Sequence, residues 1–205
     1  MLKLTMLILS LTEKNSDTVF TKSSEILKNS GIIAYPTESF YALGVLATDE
    51  YAVKKLYKLK KRSADKPLPI IIGDIDLLAS IVRSIPAPAG ELIRKYWPGP
   101  LTLIFDAQDN VPDLLTGTKR KLAVRIPGES AALHIARTLK VPITSTSANP
   151  SGKPPAEDID TIIKYFGDKI DLIIDAGKTP GGKPSTIIDV TATPPKVLRE
   201  GSIVL

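Results

Sequence analysis

The run Gly31-Ile32-Ile33-Ala34-Tyr35-Pro36-Thr37-Glu38-Ser39-Phe40-Tyr41-Ala42-Leu43-Gly44 decides the reading of the fold, because it begins as a short apolar strand and breaks at a proline. Residues 32–35 are apolar, and Pro36 cannot donate to a ladder, so a strand is expected to end there. Thr48, Asp49 and Glu50 supply a helix start, and Val53, Leu56 and Leu59 form the apolar stripe of the helix that follows. Residues 36–46 are therefore expected to connect a strand to a helix. On the other side, residues 17–29 carry Val19, Phe20, Ile26 and Leu27 at roughly helical spacing, and Asn29, Ser30 and Gly31 read as the stop.

Working outward, apolar runs predict further strands over 68–72, 101–105, 122–126, 143–146, 172–174, 186–190 and 196–199. Helical spacing predicts helices over 75–83, 87–96, 130–139 and 157–165. Strands and helices interleave early and strands dominate late. That order implies an α/β (α+β) chain with a twisted, mostly mixed open β-sheet and helices packed on it, as a single domain over residues 1–205. The 17 prolines gather at element ends (Pro36, Pro67, Pro98, Pro100, Pro127, Pro142, Pro150) and in 177–184, where rigid loops suit the mounting of ligand groups.

Composition narrows the function classes. A chain of 205 residues with 43% hydrophobic content can enclose one good core. Cysteine is absent, which excludes disulfides, thiolate metal sites and a cysteine nucleophile, and suits a cytoplasmic location. The excess of 27 basic over 22 acidic residues gives +5, a field that favours nucleotides or RNA and also serves solubility. Residues 1–11 are largely apolar with one lysine, but no small-residue cleavage pattern follows and polar residues come next, so a first core strand is expected rather than a signal peptide. No later run approaches the ~20 apolar residues of a membrane span.

Among residues able to do chemistry, His134 is the only histidine, and it lies in an apolar helical run where a packed or surface histidine is expected rather than a catalyst. Neither G-x-x-x-x-G-K-[ST] nor G-x-G-x-x-G after a strand is present. Glu38, Asp175 and Asp189 stand near strand ends with no spacing that marks an acid and base pair, and read as caps or solvated charges. The remaining polar clusters are rich in hydroxyls, lysine and arginine, which suits anion binding more than proton transfer. Lys58, Lys60, Lys61, Arg62 and Lys66 form the densest basic run, at a helix end where a solvated face is the plainer reading. Ser145, Thr146, Ser147, Asn149, Ser151 and Gly152 stand at the end of an apolar strand, where they turn the chain and where small hydroxyls with exposed backbone N–H groups also suit an anion cradle. Arg125 and Arg199 each end an expected strand, rigid enough for two-bond recognition of a carboxylate or phosphate, with a salt bridge as the alternative.

Taken in order, these clusters resemble the YrdC family of threonylcarbamoyl-adenylate synthases. The family's Y-P-T-E-T-x-Y-G-L-G is met by 35–44, its K-x-R by 60–62, W-P-G-P-L-T by 97–102 and V-R-x-P by 124–127. S-A-N-x-S-G is met by 147–152, P-S-T-I by 184–187 and R-E-G by 199–201. Ser39, Ala42, Ser63 and Lys66 depart from the common residues, and the related YciO branch shares several of the motifs. With little sequence after Gly201, a single-domain member is expected, without the extra C-terminal domain of longer ones.

The resemblance implies an enzyme that joins L-threonine, bicarbonate or carbon dioxide, and ATP into threonylcarbamoyl-AMP and pyrophosphate, for threonylcarbamoyladenosine modification of tRNA. It implies threonine bound by Thr37 or Ser39, Arg125, Ser145 and Ser185. It implies ATP bound by Lys60, Arg62, Lys66, Ser147, Asn149 and Arg199, with Lys60 and Arg62 as the catalytic cations. Mg2+ would travel with the nucleotide, no protein metal site being visible. The product would pass to a downstream threonylcarbamoyl transferase complex. Contact with tRNA or double-stranded RNA is a further implication, and an RNA-binding protein without catalysis is the alternative from another class. Carbamoyl transfer of the hydrogenase-maturation kind is a third reading, without that group's zinc-binding cysteines here.

Overall fold

The computed structural model describes residues 6–204. In chain order the elements are β1 (Leu7–Ser10), α1 (Ser16–Lys28), β2 (Ile33–Pro36), β3 (Tyr41–Gly44), α2 (Glu50–Lys60), β4 (Ile70–Ile71), a 3-10 turn (Ile75–Ser80), α3 (Ala87–Tyr96) and β5 (Leu101–Asp106). There follow α4 (Asp113–Thr116), β6 (Lys121–Arg125), α5 (Ala131–Leu139), β7 (Ile143–Thr144), β8 (Thr146–Ser147), α6 (Ile159–Phe166), β9 (Leu172–Asp175), β10 (Thr186–Asp189) and β11 (Lys196–Arg199). Of the strand expected at the start, residues 1–5 lie outside the described residues.

The strands form two mixed sheets rather than one. The first runs β1, β9, β2, β3, β8 and the second β11, β10, β5, β6, β4, β7. β1 and β2 flank β9 in parallel, whereas β3 is antiparallel to both β2 and β8. The strand expected over 143–146 divides at Ser145: Thr144 pairs with Ile70 in the second sheet, and Thr146 with Leu43 in the first. Ser145 therefore sits where the chain crosses between sheets, its N–H donating to the Pro69 carbonyl at 2.8 Å.

Residues 36–46 also differ from expectation, because they contain β3 and make a hairpin with β2. All four residues of β3 are buried, so the period-two alternation that announces a half-buried strand is missing. Gly44 is required there: a Cβ would stand 2.7 Å from the Tyr35 ring and 2.9 Å from the Thr144 carbonyl oxygen. Thr37 builds the turn, its hydroxyl donating to the Phe40 carbonyl at 2.7 Å and accepting from the Ser39 and Phe40 N–H groups at 3.2 and 3.3 Å. The expected helix over 75–83 is instead a 3-10 turn, opened by Asp74, whose carboxylate accepts from the Asp76 N–H at 3.0 Å.

Two apolar clusters hold the layers. One lies around Leu43, Leu56, Leu103, Phe105 and Val124. The other packs α1 and α5 on the first sheet through Phe20, Leu27, Ile33, Ile135 and Leu172. Burying such a side chain fully contributes roughly 1.5–3 kcal/mol. α2 begins at Asp49, whose carboxylate caps the Ala52 N–H at 3.0 Å, and its Val53 and Leu56 face the first cluster.

Candidate active site

A cleft of about 1090 Å³ opens between the two sheets. Its floor is one face of the second sheet, carrying Thr102 and Ile104 from β5, Lys121, Ala123 and Arg125 from β6, and Ile187 and Asp189 from β10. These are alternate residues on each strand, as a pleated sheet requires. The opposite wall comes from the turn between β2 and β3 and from the 145–147 crossing.

Eight of the residues singled out from the sequence line this cleft: Thr37, Ser39, Arg62, Arg125, Ser145, Ser147, Ser185 and Arg199. Three do not. Lys66 is exposed on the loop after α2. Asn149 is buried behind the wall, donating to the Pro150 and Lys153 carbonyls at 2.9 and 2.6 Å.

The largest departure from expectation is Lys60. Its side chain is not in the cleft; the residue is 2% exposed, and its ammonium donates to the backbone carbonyls of Ser147 and Asn149, the latter at 2.6 Å. A cation in the last turn of a helix reads in sequence as a solvated charge offsetting the dipole. Here the following turn is left-handed at Lys61 and the 147–149 loop covers the lysine. Burial, with the nearby Arg62 charge, lowers the Lys60 pKa to about 7.

The arginines are held rigidly. Arg125 donates through Nε to the Gly99 carbonyl at 2.8 Å, and its guanidinium is ion-paired with Glu38. Burial lowers its pKa to about 10; Tyr35 opposes that shift and the charge of Arg199 adds to it. Arg199 grips Ser185, reaching the carbonyl from Nε at 3.0 Å and from Nη2 at 2.7 Å, and the hydroxyl at 3.0 Å. The Ser185 hydroxyl also meets that of Thr102 at 2.9 Å. Arg62 ties down its own loop, donating to the Lys66 and Pro67 carbonyls at 2.8 and 2.9 Å.

Sequence reasoning missed several residues of the cleft. Lys119, Lys121 and Lys196 add three cations to its lining. Lys121 was within reach, because it falls on the same strand face as Arg125 at a spacing of four. It pairs with Asp189 at 2.9 Å. Burial works to raise the Asp189 pKa, but the Thr191 hydroxyl and Lys121 prevail and hold it below the ordinary carboxylate value. Glu38 is neither a cap nor a solvated charge: its side chain is 26% exposed and faces Arg125, at 12%. Asp175 does cap a turn, accepting from the Gly177 N–H at 2.9 Å. His134 lies outside the cleft, stacked on Phe20 at 5.3 Å and paired with Glu129 at 2.5 Å. Among the described residues no group of three or more His, Asp or Glu side chains is placed to hold a metal.

A cleft floored by one sheet, ringed by cations and studded with small hydroxyls defines an α/β protein whose site has the chemistry for a polyanion beside a small polar group. The chain belongs to the Sua5/YciO/YrdC family, whose model, described as "Telomere recombination", matches residues 25–201. It is 37% identical over 199 residues to the threonylcarbamoyl-AMP synthase of Pyrococcus abyssi, covering 97% of this chain and 58% of that protein. To the enzyme of the same name from Bacillus subtilis it is 34% identical over 189 residues, covering 92% and 55%. The chain thus spans a little over half the length of these two relatives. Among solved structures, P. abyssi Sua5 complexed with L-threonine superposes with a TM-score of 0.92 at 37% identity, over 97% of this chain and 58% of that one. Escherichia coli YciO superposes at 0.84 and 27% identity, over 96% and 95%.

Proposed function

We propose that the cleft makes threonylcarbamoyl-AMP and pyrophosphate from L-threonine, bicarbonate or carbon dioxide, and ATP, which makes the chain a nucleotidyltransferase serving tRNA modification. The observation that carries this reading is the convergence in one cleft of seven residues drawn from six separate motifs, Arg62, Arg125 and Arg199 among them, together with Ser145. The names of the relatives and the threonine complex of the P. abyssi protein support it.

In this reading Arg125 takes the threonine carboxylate, while Ser39 or Thr37, Ser145 and Ser185 surround the rest of the amino acid. Arg62, Ser147 and Arg199 receive the nucleotide phosphates. The amine gains a carboxyl group, and the carbamate oxygen displaces pyrophosphate at the α-phosphorus. Such a displacement depends on alignment and charge neutralisation more than on a nucleophilic side chain, which suits a cleft rich in arginine and lysine and without cysteine. Lys60 and Asn149 act from behind the wall, by holding the 147–149 loop. The carboxylates that line the cleft, Asp65 and Asp189, are too few for a metal cage, so Mg2+ would rest on the phosphates.

Delivery of the product to a threonylcarbamoyl transferase complex, contact with tRNA, and a cytoplasmic setting belong to the same proposal. Among the described residues no helix is long and apolar enough to cross a membrane. The test is incubation with ATP, threonine and bicarbonate, followed by detection of pyrophosphate and the adenylate. Tight, salt-sensitive RNA binding without turnover would favour the non-catalytic alternative.

A further inference from the structure

Resting on that reading, we infer that Glu38 receives the ammonium group of the amino acid and takes its proton as the nitrogen–carbon bond forms. Glu38 rides on the turn that Thr37 fixes, and its carboxylate is paired with Arg125. The pair stands at a junction. A second cavity of about 220 Å³, lined by Glu38 and Lys183, meets the main cleft along Ser39, Arg125 and Ser185. An anion and a cation side by side among hydroxyls complement a zwitterion, the substrate carboxylate on Arg125 and the ammonium on Glu38.

Binding also prepares the base. Once the substrate carboxylate occupies Arg125, Glu38 exchanges that counter-charge for the substrate ammonium, and as the nitrogen loses its charge on carboxylation the partly buried carboxylate is left with a raised proton affinity. The charged groups beside it are Arg125 from β6 and Lys183 from the loop before β10, while Arg199 from β11 and Tyr35 from β2, whose phenol burial keeps protonated, act on Arg125. The other carboxylates of the cleft are placed differently: Asp189 is engaged by Lys121 and Thr191, and Asp65 lies on the loop of Arg62.

The step needs an acceptor. An ammonium and bicarbonate yield a carbamate, water and one proton: the N–C bond forms, a C–O bond breaks with loss of water, and the released proton goes to Glu38.

The experiment compares the wild-type chain with Glu38→Gln and Glu38→Asp, reading pyrophosphate release with ATP, threonine and bicarbonate from pH 6 to 9.5. For Glu38→Gln the expected result is a fall in kcat of about 100-fold at neutral pH. Its rate should then climb about tenfold per pH unit as free amine accumulates, a slope the wild type lacks. The KM for threonine should rise while that for ATP stays put. Glu38→Asp should keep the wild-type shape at reduced kcat, and it carries the test if the glutamine variant does not fold. A variant rate within about threefold of wild type at every pH would overturn the inference. So would an equal depression at all pH values, which marks a structural role. Absence of pyrophosphate from the wild type sinks the synthase reading itself, and this inference with it.

Discussion

Lys60 Nζ donates to the Asn149 carbonyl at 2.6 Å, so the last turn of α2 holds up, from beneath, a loop nearly ninety residues further along the chain. The same ammonium reaches the Ser147 carbonyl, and the Ser151 N–H returns a bond to the Lys60 carbonyl at 2.9 Å. Lysine and loop are thereby fastened in both directions. Lys60→Met keeps the aliphatic stem but removes the ammonium from both carbonyls, leaving that of Ser147 with only the Asn149 N–H at 2.9 Å. A stability loss of about 1–3 kcal/mol is expected, measured by urea unfolding, with weaker ATP binding as a second effect.

The pH dependence of stability follows from the same residue. The folded Lys60 pKa is lowered from 10.5 to about 7. Between those values the unfolded chain holds a proton that the folded chain lacks, so Lys60 makes stability rise with pH across that window. Below about pH 7 both states are protonated and its contribution no longer varies. Unfolding curves taken from pH 6 to 10 should show this slope, and Lys60→Met should flatten it.

Arg62 is expected to meet the nucleotide phosphates while bracing the loop that ends at Pro67. Arg62→Ala should weaken ATP binding by about 1.5–3 kcal/mol, the range for hydrogen bonds to charged groups. Calorimetric titration with ATP checks this, and unchanged affinity in a folded variant removes Arg62 from the site.

The parts of this architecture that sequence exposes are those governed by local chemistry. α1, α3 and α5 carry helical stripes, and β5, β6 and β11 carry apolar or alternating runs, so each was legible. β3 was not, because its two faces are both buried and a proline and a turn precede it. The split at Ser145 was invisible for another reason: which sheet a two-residue strand joins depends on partners a hundred residues distant. The same holds within the site. Arg125 and Arg199 betray themselves as arginines at strand ends, whereas the burial of Lys60 and the pairing of Glu38 arise only when distant loops close over them.

His134 is expected to be dispensable for catalysis. It is 45% exposed, paired with Glu129 and stacked on Phe20 away from the cleft. His134→Gln should retain turnover across the ordinary pH range. A loss beyond about a hundredfold in a folded variant would reveal an acid or base outside the cleft groups.

Selection of the amino acid gives the sharpest test of the site. Arg125 is fixed by the Gly99 carbonyl at Nε, and its Nη2, which Glu38 holds, is the edge an incoming carboxylate would take over. An ammonium cannot reproduce that planar grip, so Arg125→Lys should impair threonine use even though the charge is kept. Around it, the Ser39, Ser145 and Ser185 hydroxyls line the cleft, and Ser185 is itself oriented by Arg199 and Thr102. If these hydroxyls meet that of threonine, an analogue lacking it leaves partly buried partners unpaired. Valine and 2-aminobutyrate should then bind about 1–3 kcal/mol more weakly than threonine, with serine nearer to it. Calorimetry with and without ATP measures the series. Equal affinity for threonine and 2-aminobutyrate would show that the hydroxyls serve the loop rather than the ligand, and loss of all amino-acid binding alongside tight RNA binding would move the chain to the non-catalytic reading.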